Sequence, residues 1–77
     1  GTLARVFAIN EDAHGSIWVG NVDAGVWRVD GERLTNYTKR DGLPSLFVPV
    51  IYKAANGELW FIAGGEAILE FNGTSFV

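Results

Sequence analysis

An internal repeat of 42 residues restricts the fold of this chain more than any other feature. Shifting the sequence against itself by 42 positions aligns 35 residue pairs without a gap, and six of these pairs are identical. The identical pairs are Val6–Val48, Ile9–Ile51, Ala13–Ala55, Gly15–Gly57, Trp18–Trp60 and Gly31–Gly73. Because the matches fall on turn glycines, a tryptophan and apolar positions, the sequence predicts two copies of one supersecondary unit.

Each copy divides into short strand-like runs separated by turn signals, which predicts four antiparallel strands per copy. The runs are residues 5–10, 16–20, 26–30 and 34–38 in the first copy, and 48–53, 58–63, 67–71 and a beginning at 75–77 in the second. No stretch has sustained helical periodicity, and Pro44 and Pro49 disfavour a helix between the copies. An all-β chain is therefore expected.

Four short antiparallel strands in about forty residues are the unit of a β-propeller blade. We predict a first blade with its connection at residues 1–47, and a second blade with a truncated outer strand at 48–77. The WD40 class is disfavoured because the sequence has neither a Trp-Asp nor a Gly-His pair. Tetratricopeptide and armadillo repeats would require helices.

The first copy resembles the repeats of two-component regulator propellers at residues 11–20 (EDAHGSIWVG), 24–30 (AGVWRVD) and 36–45 (NYTKRDGLPS). The second copy keeps NGELWF at 56–61, but Ala54 replaces the acidic turn residue and Ile62 replaces the strand-end glycine. The resemblance implies a bacterial, extracytoplasmic or periplasmic sensor region. It also implies that oligosaccharide is the leading ligand class.

Composition narrows the classes of function. The chain has no cysteine, one histidine and a formal net charge of −3. Disulfides and cysteine metal sites are thus excluded, and an acidic chain is a poor partner for nucleic acid. No apolar run approaches the roughly 20 residues of a membrane span. We predict a non-enzymatic segment with no catalytic residues, no metal and no cofactor.

Two alternatives to a ligand-binding segment stay open. A lyase- or hydrolase-like propeller would need a compact set of His, Glu or Arg side chains on one face. A purely structural, self-assembling repeat would need no ligand site.

The loops at one end are the predicted ligand-binding surface. In a blade, the loop between strands two and three lies at the same end as the connection to the next blade. These segments combine hydrogen-bond donors and acceptors that suit a sugar, whereas the tight turns at the opposite end are expected to offer little concavity. The predicted ligand-binding residues are Asn21, Asp23, Trp27, Lys39, Arg40 and Glu66.

The repeated turns and tryptophans have structural interpretations. Trp18 and Trp60 are expected to pack between neighbouring blades and to be buried in an assembled state. Asp12 is expected to cap its own turn, because a short carboxylate accepts hydrogen bonds from nearby backbone N–H groups. His14 and Asn56 are expected at positions of positive φ, with Asn56-Gly57 in a type I′ turn.

The expected partner is the chain itself or the rest of a longer propeller. Two packed blades leave apolar faces open on both outer sides, and soluble monomers rarely expose such patches. Identical protomers joined head to tail would close as a trimer of six blades or a tetramer of eight. We therefore expect that an isolated two-blade monomer does not persist.

Overall fold

A computed structural model describes residues 6–64 and 67–77, which form two antiparallel sheets. The strands are β1 (Val6–Glu11), β2 (Ile17–Asn21), β3 (Val26–Asp30) and β4 (Arg33–Tyr37) in the first sheet, and β5 (Val50–Lys53), β6 (Leu59–Ala63) and β7 (Ala67–Glu70) in the second. One 3-10 turn, Lys39–Asp41, lies in the connection, and the described ranges contain no α-helix. The prediction of an all-β chain with one sheet per repeat is confirmed.

Both sheets are meanders, in which each strand pairs with its neighbour in sequence. The pairing registers repeat with the 42-residue period, so that Trp18 lies opposite Arg28 in the first sheet and Trp60 lies opposite Glu70 in the second. The run predicted at 75–77 forms only an isolated bridge, between Phe71 and Phe76. The second sheet therefore has three strands.

The hydrophobic core lies between the two sheets and is centred on Trp18. The Trp18 ring centroid lies 5.2 Å from that of Phe61 and 5.1 Å from that of Phe71, both on the second sheet. Strand alternation turns the same side of each strand toward the core. The buried members of this cluster are Trp18, Val26, Leu43, Val48, Ile51, Leu59, Phe61, Ala63, Leu69 and Phe76.

The two repeated tryptophans have different environments. Trp18 is 3% exposed, as expected, because it faces inward between the sheets. Trp60 is half-buried, because the corresponding side of the second sheet faces outward. Its burial in an assembled state stays a prediction.

The connection that leads into β5 packs closely on the first sheet at Gly20. A Cβ atom there would collide with the backbone oxygen of Val48, and the Val48 N–H donates to the Asn21 carbonyl oxygen at 2.8 Å. Only glycine allows this approach. The repeat-equivalent residue, Ile62, lies on the outward side of the second sheet, where no such contact is made within the chain.

The prediction of positive φ at His14 and Asn56 is wrong. Among the described residues only glycines have positive φ, with values of 89° at Gly15 and 90° at Gly57. A type I′ turn needs two consecutive positive φ values, so it is excluded at Asn56-Gly57. Each of these connections uses one left-handed glycine after non-glycine residues of negative φ, and the glycine alone supplies the reversal.

Candidate functional site

The long loops gather at one end of the sheet pair, which we call the loop end. The Gly25 N–H donates to the Leu46 carbonyl oxygen at 2.9 Å, and the Gly64 N–H donates to the Phe47 carbonyl oxygen at 2.8 Å. The connection between the sheets therefore holds both the loop after β2 and the turn after β6.

Of the six predicted ligand-binding residues, Asn21 is buried and Trp27 is half-buried. Asn21 is 0% exposed, and its side-chain amide has no hydrogen-bond partner within the described ranges. Trp27, the second residue of β3, lies on the outward side of the first sheet, opposite Val19 and Asn36. A ligand at the loop end would not reach the Asn21 side chain, whereas ligand binding by Trp27 stays a prediction.

Three other predicted residues are exposed at the loop end: Asp23, Lys39 and Arg40. The Arg40 Nε lies 3.8 Å from the Asp41 carboxylate. Glu66 lies outside the described residues. Ligand binding by the exposed three stays a prediction.

A cavity of about 460 Å³ opens between the sheets at the opposite end, which we call the turn end. The prediction that this end has little concavity is wrong. The connection packs on the first sheet at Gly20, nearer the loop end, whereas the rings of Trp18 and Phe71 hold the sheets apart nearer the turns. The polar lining residues are Asp12, His14 and Arg28 on the first sheet, and Asn56, Glu58 and Glu70 on the second.

Asp12 connects the first turn to the core. Its Oδ1 accepts hydrogen bonds from the backbone N–H of His14 (2.9 Å) and Ser16 (3.0 Å), which confirms the predicted turn cap. Its Oδ2 accepts a hydrogen bond from the Trp18 indole Nε1 at 2.8 Å. Partial burial raises the pKa of Asp12. The hydrogen bonds and the Arg28 charge outweigh burial, so the pKa lies below its ordinary 3.8.

Arg28 covers the outer edge of the core at the cavity. Its guanidinium carbon lies 5.0 Å from the centroid of the Trp18 ring, within the range of a cation–π contact. Its Nε is buried and has no hydrogen-bond partner in the described part of the chain. The cavity wall thus contains a cation with unused donor capacity.

The carboxyl groups of Glu58 and Glu70 interact with each other at the turn end of the second sheet. Hydrogen bonds from Glu70 and Asn56 lower the pKa of Glu58, whereas the hydrogen bond with Glu58 raises the pKa of Glu70. The Asn56 side-chain amide also donates to Glu58 Oε1.

The cavity walls present both hydrogen-bond donors and hydrogen-bond acceptors. The walls offer donors on Arg28 and Asn56 and acceptors on Asp12 and Glu58, which suits a polyhydroxyl molecule.

Sequence reasoning did not select Arg28, Glu58 or Glu70. The repeat alignment nevertheless holds a signal, because it pairs Arg28 with Glu70 and Ser16 with Glu58 within runs of matching apolar residues.

Comparison of the chain with protein-family models and with curated proteins gives no match. Within residues 6–64 and 67–77, no helix has the length and apolarity that crossing a bilayer requires.

Replacing Asp12 tests the hydrogen bond that joins the first turn to Trp18 in the core. We expect Asp12→Asn to destabilise the fold by about 1–2 kcal/mol, because the Trp18 indole N–H loses its acceptor. Because the pKa of Asp12 is lower in the folded chain than in the unfolded chain, its ionised carboxylate stabilises the fold at pH values above 3.8. This stabilisation is lost as the pH falls through the native pKa. Urea unfolding at several pH values should therefore show the difference from wild type shrinking in acid.

The matched control is Asp30→Asn, which removes the same charge at an exposed position. It should leave stability nearly unchanged across the same pH series. Equal effects of the two substitutions would show that the Asp12–Trp18 hydrogen bond contributes nothing.

Proposed function

We propose that the chain is a non-enzymatic β-propeller segment of two blades that binds a polyhydroxyl ligand, with carbohydrate the leading class. The observation that carries this proposal is the cavity of about 460 Å³ between the two sheets at the turn end. Ligand sites in proteins span roughly 300–1,000 Å³, so the cavity has room for one or two sugar rings.

The blade interpretation is supported by the repeat and by the sheets together. Each repeat copy folds as one antiparallel meander, and the two meanders pack face to face through an apolar core. Neighbouring propeller blades pack in this way. Assignment to a periplasmic sensor of a bacterial two-component regulator rests on the sequence resemblance alone.

The ligand class is supported by the chemistry of the cavity walls. A sugar hydroxyl both donates and accepts, and the walls present a guanidinium, an amide and carboxylates. Each such hydrogen bond contributes about 0.5–1.5 kcal/mol net. Three or four of them give weak binding, so we expect dissociation constants in the millimolar to micromolar range.

Binding should depend on the turn end more than on the loop end. In the variant Asn56→Ala/Glu58→Ala, the exposed turn loses an amide and a carboxylate of the cavity wall. We expect a glycan-array hit of the wild type to weaken at least tenfold in this variant, measured by titration calorimetry.

The matched control is Asp23→Ala/Lys39→Ala/Arg40→Ala, which removes the exposed charged groups at the loop end. It should bind the same glycan as wild type does. If the loop-end variant loses binding and the turn-end variant keeps it, the binding site lies at the loop end, as the sequence predicts. A wild type that binds no glycan on the array would refute the carbohydrate proposal.

A further inference from the structure

The exposed apolar side chains concentrate on the two outward sheet faces. Five of them lie at paired strand positions: Ile9 and Leu34 on the first sheet, and Val50, Tyr52 and Ile68 on the second. Ile9 is 63% exposed and Ile68 is 65% exposed. Contiguous apolar faces of this kind mark interaction sites in soluble proteins.

The outward face of the first sheet, which we call face A, is the repeat equivalent of the inward face of the second. The 42-residue offset carries each member of face A onto a residue that packs in the core between the sheets. The equivalent pairs are Ile9–Ile51, Ile17–Leu59, Val19–Phe61, Trp27–Leu69, Val29–Phe71 and Leu34–Phe76.

The outward face of the second sheet, which we call face B, is in turn the equivalent of the inward face of the first. Trp60 on face B corresponds to Trp18, and Ile68 corresponds to Val26. Faces A and B are therefore unpartnered versions of the two surfaces that already pack against each other inside the chain.

We propose that face B of one copy of this chain docks on face A of a second copy, head to tail. The inference rests on the proposed blade architecture and extends it by naming the partner. Docking in this sense places Trp60 of one copy against Val29 and Leu34 of the next, as Trp18 lies against Phe71 and Phe76. A contact between two different faces repeats from copy to copy and can close a ring.

Pairing of like faces would not reproduce the internal contact. Inside the chain, the tryptophan of one kind of face meets phenylalanines of the other kind. Two B faces would bring Trp60 against its own copy, and two A faces would contain no equivalent of Trp18. Heterologous docking is the arrangement that the repeat supports.

The contact between copies must differ from the internal one at one point. Gly20 lets the backbone of Val48 approach, but its equivalent on face B is Ile62. An isoleucine side chain holds the docked sheet further away there, so fewer dispersion contacts form. We therefore expect copies to separate at lower urea concentration than the chain unfolds.

Two charge substitutions test the docking, one on each face. Ile9→Glu disables face A and Ile68→Glu disables face B, and both positions are exposed enough to accept a charge without unfolding the chain. Sedimentation velocity at micromolar concentration should show wild type as one species of three or four copies. Each variant alone should be a monomer.

The mixture of the two variants is the decisive sample. Ile9→Glu keeps face B and Ile68→Glu keeps face A, so an equimolar mixture should form a one-to-one dimer that grows no further. The dimer would also show that both variants are folded. The control Ala55→Glu adds the same charge in an exposed turn outside both faces and should assemble like wild type.

Several results would overturn the docking proposal. A monomeric wild type would do so, and so would self-association of either variant alone, because that requires like faces to pair. A monomeric wild type that binds glycan would leave the proposed function standing. An assembled ring that binds no glycan would refute the carbohydrate proposal and keep the docking.

Discussion

Replacing Trp18 by alanine is expected to destabilise the fold by about 3–5 kcal/mol, the usual cost of truncating a buried aromatic side chain. Trp18 is 3% exposed, and its ring contacts the rings of Tyr37, Phe61, Phe71 and Phe76. At roughly 0.05–0.15 kcal/mol per residue, a domain of this size has a total stability of about 4–12 kcal/mol. The variant should therefore unfold in little or no urea.

Trp60→Ala is the control that the repeat provides. It removes the same side chain at the equivalent position, but Trp60 is half-buried on an outward face. The unfolding midpoint of the single chain should shift much less than in Trp18→Ala. Equal shifts in urea denaturation followed by circular dichroism would show that Trp18 is not the centre of the core.

Replacing Gly42 by alanine should be the most damaging change in the connection between the sheets. Gly42 has a φ of 103°, and an added Cβ would collide with the backbone of Phe76. The Phe76 N–H also donates to the Asp41 carbonyl oxygen at 2.7 Å, so the clash would break the docking of the connection on the second sheet. Backbone strain of about 1–2 kcal/mol and an overpacking cost of about 1–3 kcal/mol add together.

Gly73→Ala separates these two causes. Gly73 has a φ of 104°, but an added Cβ would meet nothing within 4 Å. It should cost only the backbone strain, so Gly42→Ala should be worse by about 1–3 kcal/mol in urea unfolding. If the two variants unfold at the same urea midpoint, the close approach of Gly42 to Phe76 contributes nothing to the difference in stability.

The sequence predicted the ends of a strand well where a turn residue stands directly before and directly after that strand. The strand Val26–Asp30 has its predicted limits, because Gly25 and Gly31 interrupt the chain on either side. The run predicted at 48–53 begins two residues late, at Val50, because the Val48 N–H donates to the carbonyl oxygen of Asn21 at the end of β2. Local turn chemistry fixes a strand end reliably only when no distant segment competes for the backbone.

The candidate site could not be predicted in the same way. Alternation and repeat show which residues share a sheet face, but they do not show whether that face meets another sheet. Trp18 and Trp60 are identical in the alignment and differ in burial for this reason. The cavity depends on how far apart the two sheets stand, which is set by the rings in the core and by the contact at Gly20.

The meander order of the sheets has a consequence for folding kinetics. Every strand hydrogen-bonds to a neighbour in sequence, so the contacts within each sheet have low contact order. Hairpins of this kind form in about 1–10 μs, whereas contacts between the sheets must close a longer loop first. The hairpins should therefore form early, and docking of the two meanders, with burial of Trp18, should limit the refolding rate.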